Sequence, residues 1–178
     1  TVALSRALRA MPGGVRRQNE VRMARLGQYF LERAEVTGPW MRLAPDLEAQ
    51  AQAIVVGPAW YRALALPLVP GLTRAFEKAA LEQSTVSLAV VACALERYRL
   101  AQQDYPEALA ALVPTYLTRL PVDPVNGQAL HYRRDAAGRF TLYSVGSNLK
   151  DDEGATAKGK DGRLDTRQGD WVWRSDPR

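Results

Sequence analysis

The feature that most constrains the fold is a long stripe of apolar residues near the middle of the chain. Its members are Leu81, Leu88, Val91, Leu95 and Tyr98. Their spacings of seven, three, four and three residues place them on one face of a helix. We expect this helix to run from about Leu72 to Gln103. Its apolar face must be buried, and the following residues are the obvious source of a covering sheet.

After this helix the period of the sequence changes from helical to two. Leu130 and Tyr132 alternate with polar residues, as do Phe140 and Leu142, and residues 135–138 between them suit a hairpin turn. A third short strand is predicted at 171–173, and the polar stretch from about 151 to 169 is expected to be a long loop. The predicted fold class is therefore α+β, with the long helix packed on a small antiparallel sheet.

The segments around this core are predicted to be helical. A short helix is expected to start at Pro106, and its inward-facing residues would be Leu109, Leu112 and Val113. Upstream, helices are expected at 15–35, from Leu47 with Asp46 as its cap, and from Pro58, with a break at 38–39. We therefore divide the chain into a helical region, 1–71, that docks on the rest or on a partner, and an α+β domain, 72–178.

The composition narrows the possible functions. A charged fraction of 24% in 178 residues is typical of a globular protein, and the basic residues behind the net charge of +5 are scattered, so nucleic-acid binding is not expected. The single cysteine, Cys93, excludes an internal disulfide and is expected to be buried in the helix. The apolar run Ala51–Leu72 is broken by prolines and an arginine, so it does not predict a membrane span. An N-terminal anchor outside this sequence remains open.

Several short motifs carry a resemblance to a known family. They are Asp104-Tyr-Pro-Glu-Ala-Leu109, Leu120-Pro-Val-Asp-Pro124, Asn126-Gly127, Tyr132 and Phe140-Thr-Leu-Tyr-Ser-Val-Gly146. In this order and spacing, the chain from about Ser84 to Trp173 resembles the soluble domain of major pseudopilins of type II secretion systems. Two departures are visible. The upstream sequence is broken by prolines where family members have an apolar filament-forming helix, and Val125 stands where they commonly have tryptophan.

The resemblance implies a non-catalytic structural or adaptor subunit of the bacterial cell envelope. It implies a periplasmic location, with membrane association through an N-terminal anchor or through a partner, and other envelope or secretion subunits as partners. Two alternatives stay open. One is an accessory binding subunit of a larger membrane complex unrelated to secretion, and the other is a hydrolase.

The resemblance also implies calcium in the loop that follows the hairpin. Carried over by position, the candidate ligands are Asn148 and Asp170. Backbone carbonyls near Leu142 and Ser144 are expected to contribute, and Asp151 or Asp152 would compensate for the charge that asparagine lacks at position 148. Oxygen ligands on a flexible loop suit calcium, which binds six to eight oxygens with loose geometry. The alternative is a solvated acidic loop without metal, which the neighbouring lysines and arginines partly neutralise.

A hydrolase would centre on His131, the only histidine. It alternates with Leu130 and Tyr132, so we expect it on the polar face of a strand. Its serine partner could be Ser144, although nothing in the spacing selects one. Trp171 and Trp173, two residues apart, are predicted to pack in the core, and the alternative is an exposed binding pair.

Overall fold

The structure is a computed structural model, and it describes residues 11–35 and 46–175. The break predicted at 38–39 lies outside the described residues.

Four α-helices precede the sheets in the described part of the chain. Helix α1 spans Gly13–Glu35, α2 spans Leu47–Ile54, α3 spans Ala59–Arg62 and α4 spans Val69–Gln102. Short 3₁₀ helices cover Leu66–Leu68 and Leu109–Leu112. Helix α4 ends where Gln103 adopts the left-handed conformation, at a φ of 63°. The predicted helices are thereby confirmed, although the short helix after α4 begins at Leu109 rather than at Pro106. Asp46 precedes α2 as expected, but its side chain makes no capping hydrogen bond to the helix backbone.

The strands form two antiparallel sheets. Strands β1 (His131–Arg134), β2 (Phe140–Ser144) and β5 (Trp171–Arg174) form a three-stranded sheet with β2 in the centre. Tyr132 pairs with Leu142, and Leu142 pairs on its other side with Trp173. The predicted hairpin and last strand are confirmed, and the fold class is α+β as expected.

Helix α4 packs on the three-stranded sheet. One cluster of buried residues joins the C-terminal half of the helix to the sheet and to the segment between them: Leu88, Val91, Ala92, Ala94, Leu95, Tyr105, Leu112, Leu130, Phe140 and Leu142. Burying each of its large side chains contributes roughly 1.5–3 kcal/mol. Leu88, Val91 and Leu95 of the predicted stripe lie in this cluster and Tyr98 packs against it, whereas Leu81 packs against a second cluster.

The helices before residue 69 pack against the N-terminal half of α4. A second cluster combines Leu26, Phe30, Leu47, Ala51, Val55, Ala65, Val69, Phe76, Ala80, Val125, Val145 and Trp171. Asn19 supports this packing from inside, because its Nδ2 donates to Trp60 O over 2.9 Å and its Oδ1 accepts from Leu64 N over 3.1 Å. The upstream helices therefore share one core with α4 and with Trp171.

Three expectations were wrong. The stretch after the hairpin is not wholly a loop, because β3 (Thr156–Lys158) and β4 (Leu164–Gly169) pair in a second sheet. The turn between them contains Asp161-Gly162, a hairpin signal that the sequence offered. Cys93 is exposed, since α4 directs it away from the sheet. Trp171 is buried, but Trp173 is 39% exposed because it lies on the edge strand of the sheet, although its partner Leu142 is completely buried.

One helical segment, Leu66–Gln102, is long and apolar enough to cross a membrane, by length and composition. The sequence did not predict this, because its apolar residues are spread around the helix rather than contiguous. In this fold the segment is the central core helix, and its most apolar stretch is 39% buried.

Candidate functional site

The acidic turn between β2 and β3, residues 148–154, is held by one buried carboxylate. Asp170 is 2% exposed, and its two oxygens accept hydrogen bonds from the backbone N–H groups of Asp152 (3.3 Å) and Gly154 (2.6 Å). Leu149 and Glu153 adopt positive φ angles of 58° and 57°, which makes the turn tight. Asp170 therefore organises the loop from the residue just before β5.

Asn148 and Asp152 lie at the same place as Asp170. Asn148 Nδ2 donates to Asp152 Oδ2 over 2.9 Å. The pKa of Asp170 is raised, chiefly because burial disfavours its charged form, and the charges of Asp152 and Asp151 add to this. The two backbone N–H groups act in the opposite direction. A cation here would relieve the repulsion among the carboxylates.

The other three predicted ligands contact different partners. Asp151 Oδ1 accepts from the Tyr143 hydroxyl over 3.1 Å, and its Oδ2 lies 3.4 Å from His131 Nδ1. Ser144 Oγ donates to Asp123. Leu142 lies in the central strand, paired on both sides. Asn148, Asp152 and Asp170 are thus linked by hydrogen bonds, and Asp152 reaches Asp170 through its backbone N–H group. The side chains of Asp151 and Ser144 bind other partners, although the charge of Asp151 still acts on Asp170.

No group of three or more His, Cys, Asp or Glu side chains with a metal-holding arrangement occurs within 11–35 and 46–175. Two carboxylates and an amide supply fewer oxygens than calcium takes, so backbone carbonyls or water would have to complete a shell. Calcium binding stays a prediction for the three residues that converge.

Asp123 is the buried charged residue that the sequence reasoning missed. It is completely buried. Its Oδ1 accepts from Val125 N and from Ser144 Oγ, both over 2.9 Å, and its Oδ2 accepts from Val145 N over 3.2 Å. Burial raises its pKa, while these hydrogen bonds lower it. The available signal was an aspartate immediately before a proline and an apolar residue, a sequence that suits a turn whose aspartate side chain binds the backbone.

The residues of the alternative hydrolase have structural partners. His131 stacks on the Tyr143 ring, with ring centroids 4.9 Å apart and an interplanar angle of 18°. Ser144 is completely buried and hydrogen-bonded to Asp123. Desolvation, followed by the hydrogen bond to Asp151, raises the pKa of Tyr143 to about 12. Ser144, the serine considered as a partner for His131, is therefore not available as an exposed nucleophile.

A polar cleft of about 970 Å³ lies next to the acidic loop. It separates the start of α2 from the β3–β4 sheet, and Asn148 and Asp152 are among its lining residues. Arg167 reaches across to Glu77 of α4, with an N–O distance of 3.2 Å. The exposed side of the acidic loop therefore opens into a concave surface.

No family model matches the chain, and comparisons with curated proteins and with solved structures likewise give no match.

Proposed function

We propose that the chain is a non-catalytic structural or adaptor subunit of the bacterial cell envelope, and that its residues from about Ser84 form a pseudopilin-like domain. The observation that carries this proposal is the position of the motif residues, which contact one another inside the fold. Side chains that contact one another inside the protein stabilise the fold. The function then depends on the residues exposed at the surface.

Three contacts join the motif segments. The Tyr132 hydroxyl donates to Pro106 O over 2.8 Å and so fixes β1 to the end of α4. The rings of Tyr105 and Phe140 meet edge to face, with centroids 4.9 Å apart. Ser144 is linked to Asp123, the aspartate of the Asp-Pro pair. These contacts involve four of the five segments that carry the resemblance, and they support one helix-on-sheet unit.

The proposal places calcium at Asn148, Asp152 and Asp170. This assignment is supported by the hydrogen bonds that link the three residues and by the pKa of Asp170, which is raised chiefly by burial and further by the charges of Asp152 and Asp151. Bound calcium would order the wall of the cleft and so stabilise a surface for a partner. The periplasmic location and the envelope partners are parts of the same proposal, and the length and apolarity of Leu66–Gln102 are compatible with association with a membrane.

Cross-linking and affinity purification of the tagged protein from its source cells would test this function. We expect secretion components to be recovered, and we expect the protein in the periplasmic or membrane fraction. Leu142→Asp, at a completely buried position, should abolish the recovery, whereas Leu164→Asp, at an exposed position, should retain it. Recovery of an unrelated membrane complex would instead favour the accessory-subunit alternative, and a cytosolic protein would contradict both.

The hydrolase alternative has its own test. His131→Ala should leave the interactions and the biological function of the protein intact if the role is structural. Loss of function in a variant that still folds would favour chemistry at His131.

A further inference from the structure

Helix α4 carries a second apolar face, which the sheet does not cover. Val86 and Leu100 are 64% and 66% exposed, and Val90 and Cys93 are also exposed. We call these four residues the exposed seam. They are separated by four, three and seven residues, so they lie along one side of the helix over roughly 21 Å.

Two exposed and oppositely charged residues accompany the seam, one before its first residue and one between its third and fourth residues. Glu82 lies one turn before Val86, and Arg97 lies one turn after Cys93. Neither side chain forms an ion pair with another residue in the described part of the chain. Arg97 lies 5.7 Å from the centre of the Tyr116 ring, and this contact leaves its guanidinium at the surface.

We propose that the exposed seam binds the exposed seam of a second copy of this chain in an antiparallel, two-fold symmetric dimer. With the two-fold axis beside Ala89 and Val90, Val86 of each copy faces Cys93 of the other. The same axis brings Glu82 of each copy next to Arg97 of the other. The charges are complementary only in this direction, because a parallel pair would place Glu82 beside Glu82 and Arg97 beside Arg97.

The size of the seam indicates how strong the dimer is. One helix face of this length, with Trp173 at its margin, buries roughly 1,000 Å² in total, which is at the low end for specific interfaces. The small side chain of Ala89 near the axis lets the two helices approach closely. The proposal is therefore a weak, concentration-dependent dimer, and it does not depend on the envelope function proposed above.

Sedimentation equilibrium of the full chain over a wide range of concentration tests the dimer. We expect a monomer–dimer equilibrium, and we expect Val90→Glu to raise its dissociation constant at least about tenfold, because two glutamates would meet at the axis. Leu164→Glu, which changes an exposed apolar residue on β4, should leave the dissociation constant unchanged. A protein that stays monomeric throughout, or a dimer indifferent to Val90→Glu, would overturn the proposal.

The charges provide a test of the pairing. Glu82→Arg and Arg97→Glu should each weaken the dimer. The variant that carries both substitutions should restore it, because opposite charges then again face each other at positions 82 and 97 of the two copies. Restoration requires that the two residues meet across the interface, whereas additive losses would exclude the antiparallel register. Circular dichroism melting of each variant shows whether the fold is kept.

Cys93 provides a test of direction. In the antiparallel dimer the two Cys93 residues are roughly 10 Å apart along the helices, which is beyond the reach of a disulfide. Val86→Cys should therefore give an oxidised, cross-linked dimer through Cys93 of the other copy, while the unaltered chain should not. Cross-linking of the unaltered chain would indicate a parallel dimer and would refute the proposal.

Vesicle binding tests a different partner. A monomer whose seam binds phosphatidylcholine–phosphatidylglycerol vesicles would show that the partner is a lipid surface, and this result would also refute the proposal.

Discussion

Ser144 Oγ donates a hydrogen bond to Asp123 Oδ1 over 2.9 Å, and both side chains are completely buried. This contact joins the turn before β1 to the end of β2. Asp123 also accepts two backbone N–H groups, from Val125 and Val145. A single carboxylate therefore links the turn before β1 to the end of the central strand.

Asp123→Asn should lower the free energy of unfolding by roughly 2 kcal/mol, because the amide offers an N–H group where Val145 N needs an acceptor. The folded pKa of Asp123 is raised above its ordinary value of 3.8, so the folded state holds this proton more tightly than the unfolded state. The contribution of Asp123 is thus fully present below its unfolded pKa and is lost as the pH rises through the folded pKa. Denaturant unfolding at several pH values should show that the free energy of unfolding of the wild-type protein increases relative to that of the variant as the pH falls. A difference in this free energy that does not change with pH would contradict the prediction.

Asn19→Ala should destabilise the packing of α1 by about 2 kcal/mol. The substitution removes a completely buried amide and leaves Trp60 O and Leu64 N without that partner. Gln18→Ala is the matched control, since Gln18 is exposed on the same helix and its side-chain oxygen accepts a hydrogen bond from half-buried Arg22. Thermal melts should separate the two variants, and equal effects would show that Asn19 is not a structural link.

Two glycines should respond in opposite directions to alanine. At Gly146, with a φ of 65°, a Cβ atom would lie 2.5 Å from Gly169 O, so Gly146→Ala should cost more than about 2 kcal/mol. At Gly27, within α1, a Cβ atom would meet nothing within 4 Å, so Gly27→Ala should stabilise by roughly 0.5–1 kcal/mol. Denaturant titrations of both variants check the prediction. A tolerated Gly146→Ala would mean that this turn can rearrange.

Calcium should raise the melting temperature relative to a chelator if the acidic loop binds it. A ligand at a hundred times its dissociation constant stabilises the folded state by about 2.7 kcal/mol. Asp170→Asn should reduce this increment, whereas Asp161→Asn, at an exposed aspartate of the β3–β4 turn, should not. The increment, rather than the melting temperature itself, is the quantity to compare, because Asp170 also organises the loop. Identical melting temperatures with and without calcium would favour the alternative, an acidic loop that is solvated and binds no metal.

The period of the sequence determined the helices and the three-stranded sheet. A stripe such as Leu88, Val91 and Leu95 can be buried on only one face of a helix, and alternation such as Phe140 and Leu142 specifies one face of a strand. The Asp-Ala-Ala-Gly turn between the first two strands indicated how the residues of these strands pair. These signals are local, because the spacing of apolar residues a few positions apart already distinguishes a helix from a strand.

Only the tertiary structure decided which surfaces are covered. Cys93 and Trp173 lie in apolar sequence yet remain exposed, since burial depends on what packs over a residue and not on its own neighbours in the chain. The same reason explains Asp123, whose partner Ser144 is 21 residues away, and Asp170, which binds the backbone of a loop 16 to 18 residues earlier. The residue types in the acidic stretch were visible in the sequence. Which of them would converge depended on the path of the folded backbone.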